Sequence, residues 1–183
     1  MKHHVIACAI AAAAAALLSA CASAPVMPPF TQDGLPDAVR VPAGHKVAME
    51  VVGVGQITYE CRAKAGVAGA FEWVFVGPDA VLNSRANQAV GKYYGPPATW
   101  ESGDGSKITG AQLAVSPSPA GNIPMQLVKA NPASGPGAMQ GVAYIQRVAT
   151  RGGVAPGTAC AADGVGKREI VKYQADYIFW KAG

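Results

Sequence analysis

Histidine is nearly absent from this chain: three occur in 183 residues, and His3 and His4 lie at the extreme N-terminus. With only His45 left in the body of the sequence, a His-rich metal site cannot be assembled. A Ser-His-Asp triad would have to use that one residue, within Pro42-Ala43-Gly44-His45-Lys46. No Gly-x-Ser-x-Gly turn accompanies it, so a solvated turn histidine ahead of a strand is the simpler reading. Cysteine is scarce as well. Four are present, none in Cys-x-x-Cys spacing, which excludes a dithiol redox motif and leaves too few thiolates for a structural metal. Charged residues make up 14% of the chain and form no basic run, so a nucleic-acid partner is not expected. The nucleotide loop is missing too. Val51-Val52-Gly53-Val54-Gly55-Gln56 has two of the three glycines of a dinucleotide fingerprint, but Ile57-Thr58 follows where a third glycine would open a helix. Without a helix N-terminus aimed at the pyrophosphate, the two glycines read as a kink or bulge in a strand. No motif implies a cofactor or a metal.

An apolar run long enough to span a bilayer is also lacking, since that takes about 18 to 20 residues. What stands at the N-terminus is shorter: Lys2, His3 and His4, an unbroken apolar stretch from Val5 to Leu18, then Ser19 and Ala20. This is the order of an export signal over residues 1–20. Leu18-Ser19-Ala20-Cys21 resembles the bacterial lipobox, which implies that Cys21 is acylated and becomes the first residue of the mature protein, while Cys8 leaves with the signal. Several acyl chains, at about 0.8 kcal/mol per buried CH2, then hold the protein to a membrane. The alternative is an ordinary secretory signal cut near Ala24. Ala22 rather than Asp follows Cys21, so the expected address is the outer membrane of a bacterial cell envelope, on its periplasmic or surface face.

Loss of 20 residues leaves 163, enough for one domain with a core of its own. Lys2 goes with the signal, leaving 14 Lys and Arg against 11 Asp and Glu, a net charge of +3 that decides nothing about partners. Residues 21–34 combine the lipidated cysteine with a Pro-rich, almost uncharged tether, and residues 35–183 form the domain. Within it the period is two. Val47, Met49 and Val51, then Ile57, Tyr59 and Cys61, then Phe71, Trp73 and Phe75 alternate with more polar neighbours, as half-buried strands do. Thr99 to Glu101 and Lys107 to Thr109 flank Gly103-Asp104-Gly105, a hairpin signal. Further strands are expected over Gln112–Val115, Met125–Lys129, Val142–Ala149 and Glu169–Trp180, and Asp79 to Asn87, after Pro78, has room for a short helix. Glycine and proline clusters punctuate these segments, and the fold class is all-β, an antiparallel sandwich or barrel. Cys61 and Cys160 remain in an oxidising compartment, where pairing is the default; a reactive or metal-bound thiol is the alternative.

One ordered set of segments is distinctive: Gly55-Gln56-Ile57-Thr58-Tyr59-Glu60-Cys61, Gly91-Lys92-Tyr93-Tyr94-Gly95-Pro96, Thr99-Trp100-Glu101 with Asp104-Gly105-Ser106-Lys107, Asn122-Ile123-Pro124, Tyr144-Ile145-Gln146-Arg147, Thr150 to Pro156, Cys160 and Ala175-Asp176-Tyr177. Together they resemble the exported domain-of-unknown-function family 3455 of bacteria and fungi, over roughly residues 35 to 180. The resemblance implies an exported domain with its two cysteines joined and no established activity. Tyr93 stands where many members have His, and Met125-Gln126 replaces a more apolar stretch, so chemistry built on that His is not carried over.

Two site readings follow from the residues. Tyr93, Tyr94 and Trp100, beside the stiff Gly95-Pro96-Pro97, offer aromatic faces for a glycan, lipid or envelope protein, against core packing as the plainer use. Arg147 and Arg151 bracket the Thr150–Gly153 turn, where they would meet an anion or pair locally. Glu101, Asp104 and Asp176 are the carboxylates from which a glycan hydrolase would draw its pair, against hairpin and surface roles. The expected function is a non-enzymatic envelope lipoprotein that binds or builds; the alternative is a glycan-directed hydrolase.

Overall fold

The computed structural model describes residues 28–183, so the signal sequence and Cys21 lie outside the described residues. The two segments expected around Val47 to Val51 and Ile57 to Cys61 are one strand of 19 residues, β1 (His45–Ala63), with a bulge at Ala48 that turns Val47 to the outer core and Met49 to the barrel interior. β2 (Phe71–Asn83), β3 (Ala89–Tyr94), β4 (Thr99–Ser102), β5 (Lys107–Ser116), β6 (Met125–Ala130), β7 (Val142–Gly152) and β8 (Arg168–Ala182) follow. Each pairs antiparallel with the next, and β8 returns to β1, so the all-β expectation resolves to a closed eight-stranded barrel in simple up-and-down order. Closure removes the exposed edges that an open sheet would present. Short 3-10 turns at Asp37–Val39 and Ala162–Gly164 are the helical pieces among the described residues.

The helix expected at Asp79 to Asn87 is not formed. Ala80 and Leu82 are buried while Asp79 and Val81 face out, a period of two that keeps β2 extended to Asn83 before the turn at 84–88. Pro78 had suggested a helix start. It sits beside a bulge, opposite Ile57, at a point that the β3 ladder does not reach, where a missing N–H costs nothing.

Inside the barrel, Tyr93 and Trp100 stack at 4.7 Å between ring centroids, and Tyr177 closes on both at 5.1 and 5.9 Å. Tyr59, Leu82, Ile108, Ile145 and Phe179 complete the filling. Each buried Leu, Ile or Phe contributes about 1.5–3 kcal/mol. The glycines of the fingerprint-like stretch make room here: a Cβ on Gly53 would lie 2.6 Å from Tyr177 Cε2, and one on Gly55 would collide with Asp79 O. Outward positions of the wall carry Glu50, Glu60, Lys92, Glu101, Lys172 and Asp176 beside the exposed apolar Val54, Val81 and Ile170. No helix among the described residues is long and apolar enough to cross a membrane.

A second, smaller core lies outside the wall. Val39 and Val41 pack on Leu127, Val148, Ile178 and Trp180 of β6, β7 and β8. The packing begins at Phe30, within the stretch that composition reads as tether: its ring meets Trp180 edge-on at 6.2 Å, and its N–H donates to Glu50. Gln146, fully buried, ties this arm down. Its amide donates to Val39 O and Gln32 Oε1, and its oxygen accepts from Trp180 Nε1 at 2.8 Å.

Candidate functional site

The barrel has two unlike ends. The turns 84–88 and 103–106 and the loop 131–141 close one of them, while the N-terminal arm packs on the outside of the wall. At the other lie the connections 64–70, 95–98, 117–124 and 153–167, the last held by three long-range ties. Cys61 and Cys160 form a disulfide, Tyr59 Oη donates to Gly153 O at 2.8 Å, and Trp73 Nε1 donates to Thr158 O at 2.8 Å. Between these connections, inside the wall, is a cavity of about 330 Å³ lined by Phe75, Tyr93, Trp100, Gln112, Gln126 and Arg147 among others. Alternation places them there: in the strand ladders Tyr93 lies opposite Trp100, and Arg147 opposite both Gln126 and Tyr177. Phe75 stands at the rim with half its surface exposed, its ring edge-on to Tyr59 at 6.1 Å.

Tyr93, Tyr94 and Trp100 therefore do not form one aromatic face. Tyr93 and Trp100 are 5% and 1% exposed, which removes them from the outer surface and gives them to the wall of the cavity. Tyr94, next along the strand, points outward and donates its hydroxyl to Glu101 Oε2 at 2.9 Å. The arginines part as well. Residues 147 and 151 would share a face of a regular strand, but Ala149 takes φ 48° at an irregularity between Val148 and Arg151, and the parity flips. Arg147 faces inward; Arg151, opposite Gln174, lines an open groove on the outside with Lys172.

The carboxylates have separate employments. Glu101, on the outside of β4, accepts from Tyr94 and meets Lys107 at 3.2 Å and Lys92 at 3.5 Å; the tyrosine hydrogen bond, ahead of the lysines, holds its carboxyl below the ordinary range. Asp176, outside β8, pairs with Arg85 at 2.8 Å. Asp104 caps its own turn through Ser106 N–H and Oγ, and its second oxygen accepts from Ala138 N–H at 2.7 Å. A general acid needs a raised pKa, and Glu101 and Asp104 are shifted the other way. His45 Nδ1 donates to Pro42 O at 3.0 Å and the ring meets Tyr144 edge-on at the closed end, away from the cavity. Among the described residues no cluster of three or more His, Cys, Asp or Glu is placed to hold a metal.

Asp104 carries a pH prediction. Hydrogen bonds from Ser106 first, then Ala138, lower its pKa from 3.8 to about 2. A depressed folded-state pKa stabilises above the unfolded value, and that stabilisation is lost as pH falls. The melting temperature of Asp104→Asn should lie below that of the parent by a constant amount above about pH 5, and the gap should close as pH falls from about 4 to 2. Thermal melts across that range check it; a gap that does not change with pH contradicts it.

Phe75, Gln112 and Gln126 join the site without having stood out as binding residues in the sequence. Only the alternation could have shown them, by putting Phe75 on the same face as Tyr59's partner positions and the two glutamines at inward sites near strand ends. A family model described as "Protein of unknown function (DUF3455)" matches residues 42–181. No curated protein and no solved structure matches the chain.

Proposed function

Because the chain belongs to the family described as protein of unknown function (DUF3455), which brings no activity with it, we propose that the domain binds a small molecule in the mouth of its barrel and does not transform it. One observation carries the reading: a cavity of about 330 Å³, walled by Phe75, Tyr93 and Trp100, holds a few convergent polar groups from Arg147, Gln112 and Gln126. Pockets that bind small ligands have this build, mostly apolar with a handful of placed polar atoms, and the mouths of barrels are a common location. Of the carboxylates a hydrolase would need, Glu101 and Asp176 are held in separate ion pairs on the outer wall and Asp104 caps its own turn.

Phe75 and Tyr94 make the test, since one stands at the rim and the other on the outer wall. A glycan array and a thermal-shift screen of small organic compounds provide hits, which stabilise by mass action. Binding of a hit should be lost in Phe75→Ala and kept in Tyr94→Ala. The opposite result places binding on the outer wall and overturns the reading. Glycan hydrolysis by the parent that disappears in Glu101→Gln would restore the enzyme.

The proposal includes the envelope address. Acylated at Cys21, the domain would hang from the membrane by the seven residues that precede Pro28, a reach of roughly 24 Å. Pro28 borders Val47, Met49, Glu50 and Arg85 at the closed end, so the mouth would face away from the membrane. Cys21→Ser should move the protein from membrane to soluble fractions with the loss of the lipid mass. Unchanged retention and mass would contradict the anchor.

A further inference from the structure

We infer that the barrel mouth takes a small organic monocarboxylate, its apolar body against Phe75, Tyr93 and Trp100 and its charge on Arg147. This rests on the mouth being a binding site; it adds the charge and chemical class of the ligand. The first observation is a cation without a counter-ion. Arg147 Nε and Nη2 both donate to Pro124 O, at 3.1 and 3.0 Å, and Nη1 has no protein acceptor. The ion pairs among the described residues all lie elsewhere. The phenols nearby do not substitute. Burial raises the pKa of Tyr59, Tyr93, Tyr173 and Tyr177, outweighing the pull of Arg147 on each, so they stand neutral beside the guanidinium. The guanidinium stands at the solvent-exposed mouth, where water meets it and an anion arriving from outside can replace that water.

The second observation is independent. Trp100, 1% exposed and part of the same cavity wall, has an indole Nε1–H with no acceptor. Buried donors are almost always paired, and an indole nitrogen can only donate. Gln112 adds more donor capacity: its oxygen accepts from Gln126 Nε2 at 2.6 Å, which leaves its own amide N–H groups free. Gln126 Oε1 is an open acceptor in the same cavity, but the free N–H groups of Arg147, Trp100 and Gln112 outnumber it. The missing partner is therefore an acceptor, and beside a guanidinium it is an anion. Carboxylate geometry suits a guanidinium edge. A bare inorganic anion would leave the aromatic rim and wall unused, and the apolar body follows from them.

Matched pairs give the test. The parent is titrated calorimetrically with octanoate against 1-octanol, and with benzoate against benzyl alcohol. In at least one pair the carboxylate should bind about tenfold or more tighter than its alcohol. Which pair shows it tells a chain from a ring. Arg147→Gln should level that pair, and Trp100→Phe, which keeps a ring and removes the N–H, should weaken the acid a few-fold and leave the alcohol unchanged. Alcohols binding as tightly as acids, inorganic phosphate competing as well as octanoate, or a preference that survives Arg147→Gln would each overturn the inference. So would the failure of both pairs to bind. Hits lost in Phe75→Ala and kept in Tyr94→Ala would then still uphold the mouth as a site, which separates this failure from that of the binding reading. Should Arg147→Gln not fold, the preference of the parent still decides.

Discussion

The double variant Cys61→Ser, Cys160→Ser should unfold at a temperature lower by roughly 10 to 20 °C. The bridge closes a loop of 99 residues, for which the chain-entropy account gives about 4.7 kcal/mol. At roughly 2 to 4 °C per kcal/mol for a chain of this size, that is the expected drop. Domains of this size have about 5–15 kcal/mol in total, so the bridge is a large share. The cavity should outlast it. Phe75, Tyr93, Trp100 and Arg147 sit on strands, and the segment freed by reduction, 153–167, is still tied by Tyr59 to Gly153 and by Trp73 to Thr158. Well below its melting temperature the variant should therefore bind what the parent binds. A drop under about 3 °C would count against the bridge as a stabilising element. Free-thiol labelling of both cysteines in the denatured, unreduced parent would remove the bridge itself.

Gln146→Leu should cost about 2 to 5 kcal/mol, from unpaired polar groups rather than lost volume. Leucine fills much of the space but leaves Trp180 Nε1 without an acceptor and Val39 O without a donor, at about 1–3 kcal/mol for each buried group. Gln32 Oε1 keeps the Val41 N–H, so its loss is smaller. The same change loosens the arm. Residues 28–41 should become cleavable by protease under native conditions while the barrel survives, because their remaining hold is the outer core of Val39, Val41 and Phe30 on Trp180 and the Phe30 N–H bond to Glu50. Urea unfolding and limited proteolysis with mass readout check both halves. A variant as stable as the parent with an uncut arm would show that Gln146 is not the tie.

Alternation made the strands legible, and it did so where side chains are large. Val47 to Val51, Ile57 to Cys61 and Phe71 to Phe75 announce themselves, and Gly103-Asp104-Gly105 marks the turn between β4 and β5. β3 went unread because Gly91 and Lys92 break the apolar count before Tyr93 and Tyr94, whose opposite facings depend on the ladder with β4. The sandwich-or-barrel choice could not be made from the chain alone, since it turns on whether the last strand meets the first, a contact between residues more than a hundred apart. Cys61 and Cys160 are paired, as their number and the expected export of the chain had them. Three of the five proposed binding residues, Tyr93, Trp100 and Arg147, converge on one cavity, although by an inward route instead of the expected outward one. Tyr94 and Arg151 diverge from it for reasons of parity: one position along β3, and one left-handed residue, Ala149, in β7. Hairpin turns and outer ion pairs account for Glu101, Asp104 and Asp176, as composition alone allowed.

The three tryptophans provide the most direct measurement of where a ligand sits. In a nitrogen-15 labelled domain each gives one indole N–H resonance, and their states differ: Trp73 donates to Thr158 O, Trp180 donates to Gln146 Oε1, and Trp100 Nε1 has no acceptor. Titration with octanoate should move the Trp100 resonance progressively to saturation and leave that of Trp180 in place. If Trp100 stays fixed at saturating octanoate while Trp73 or Trp180 shifts, the ligand lies outside the barrel mouth and the account is contradicted.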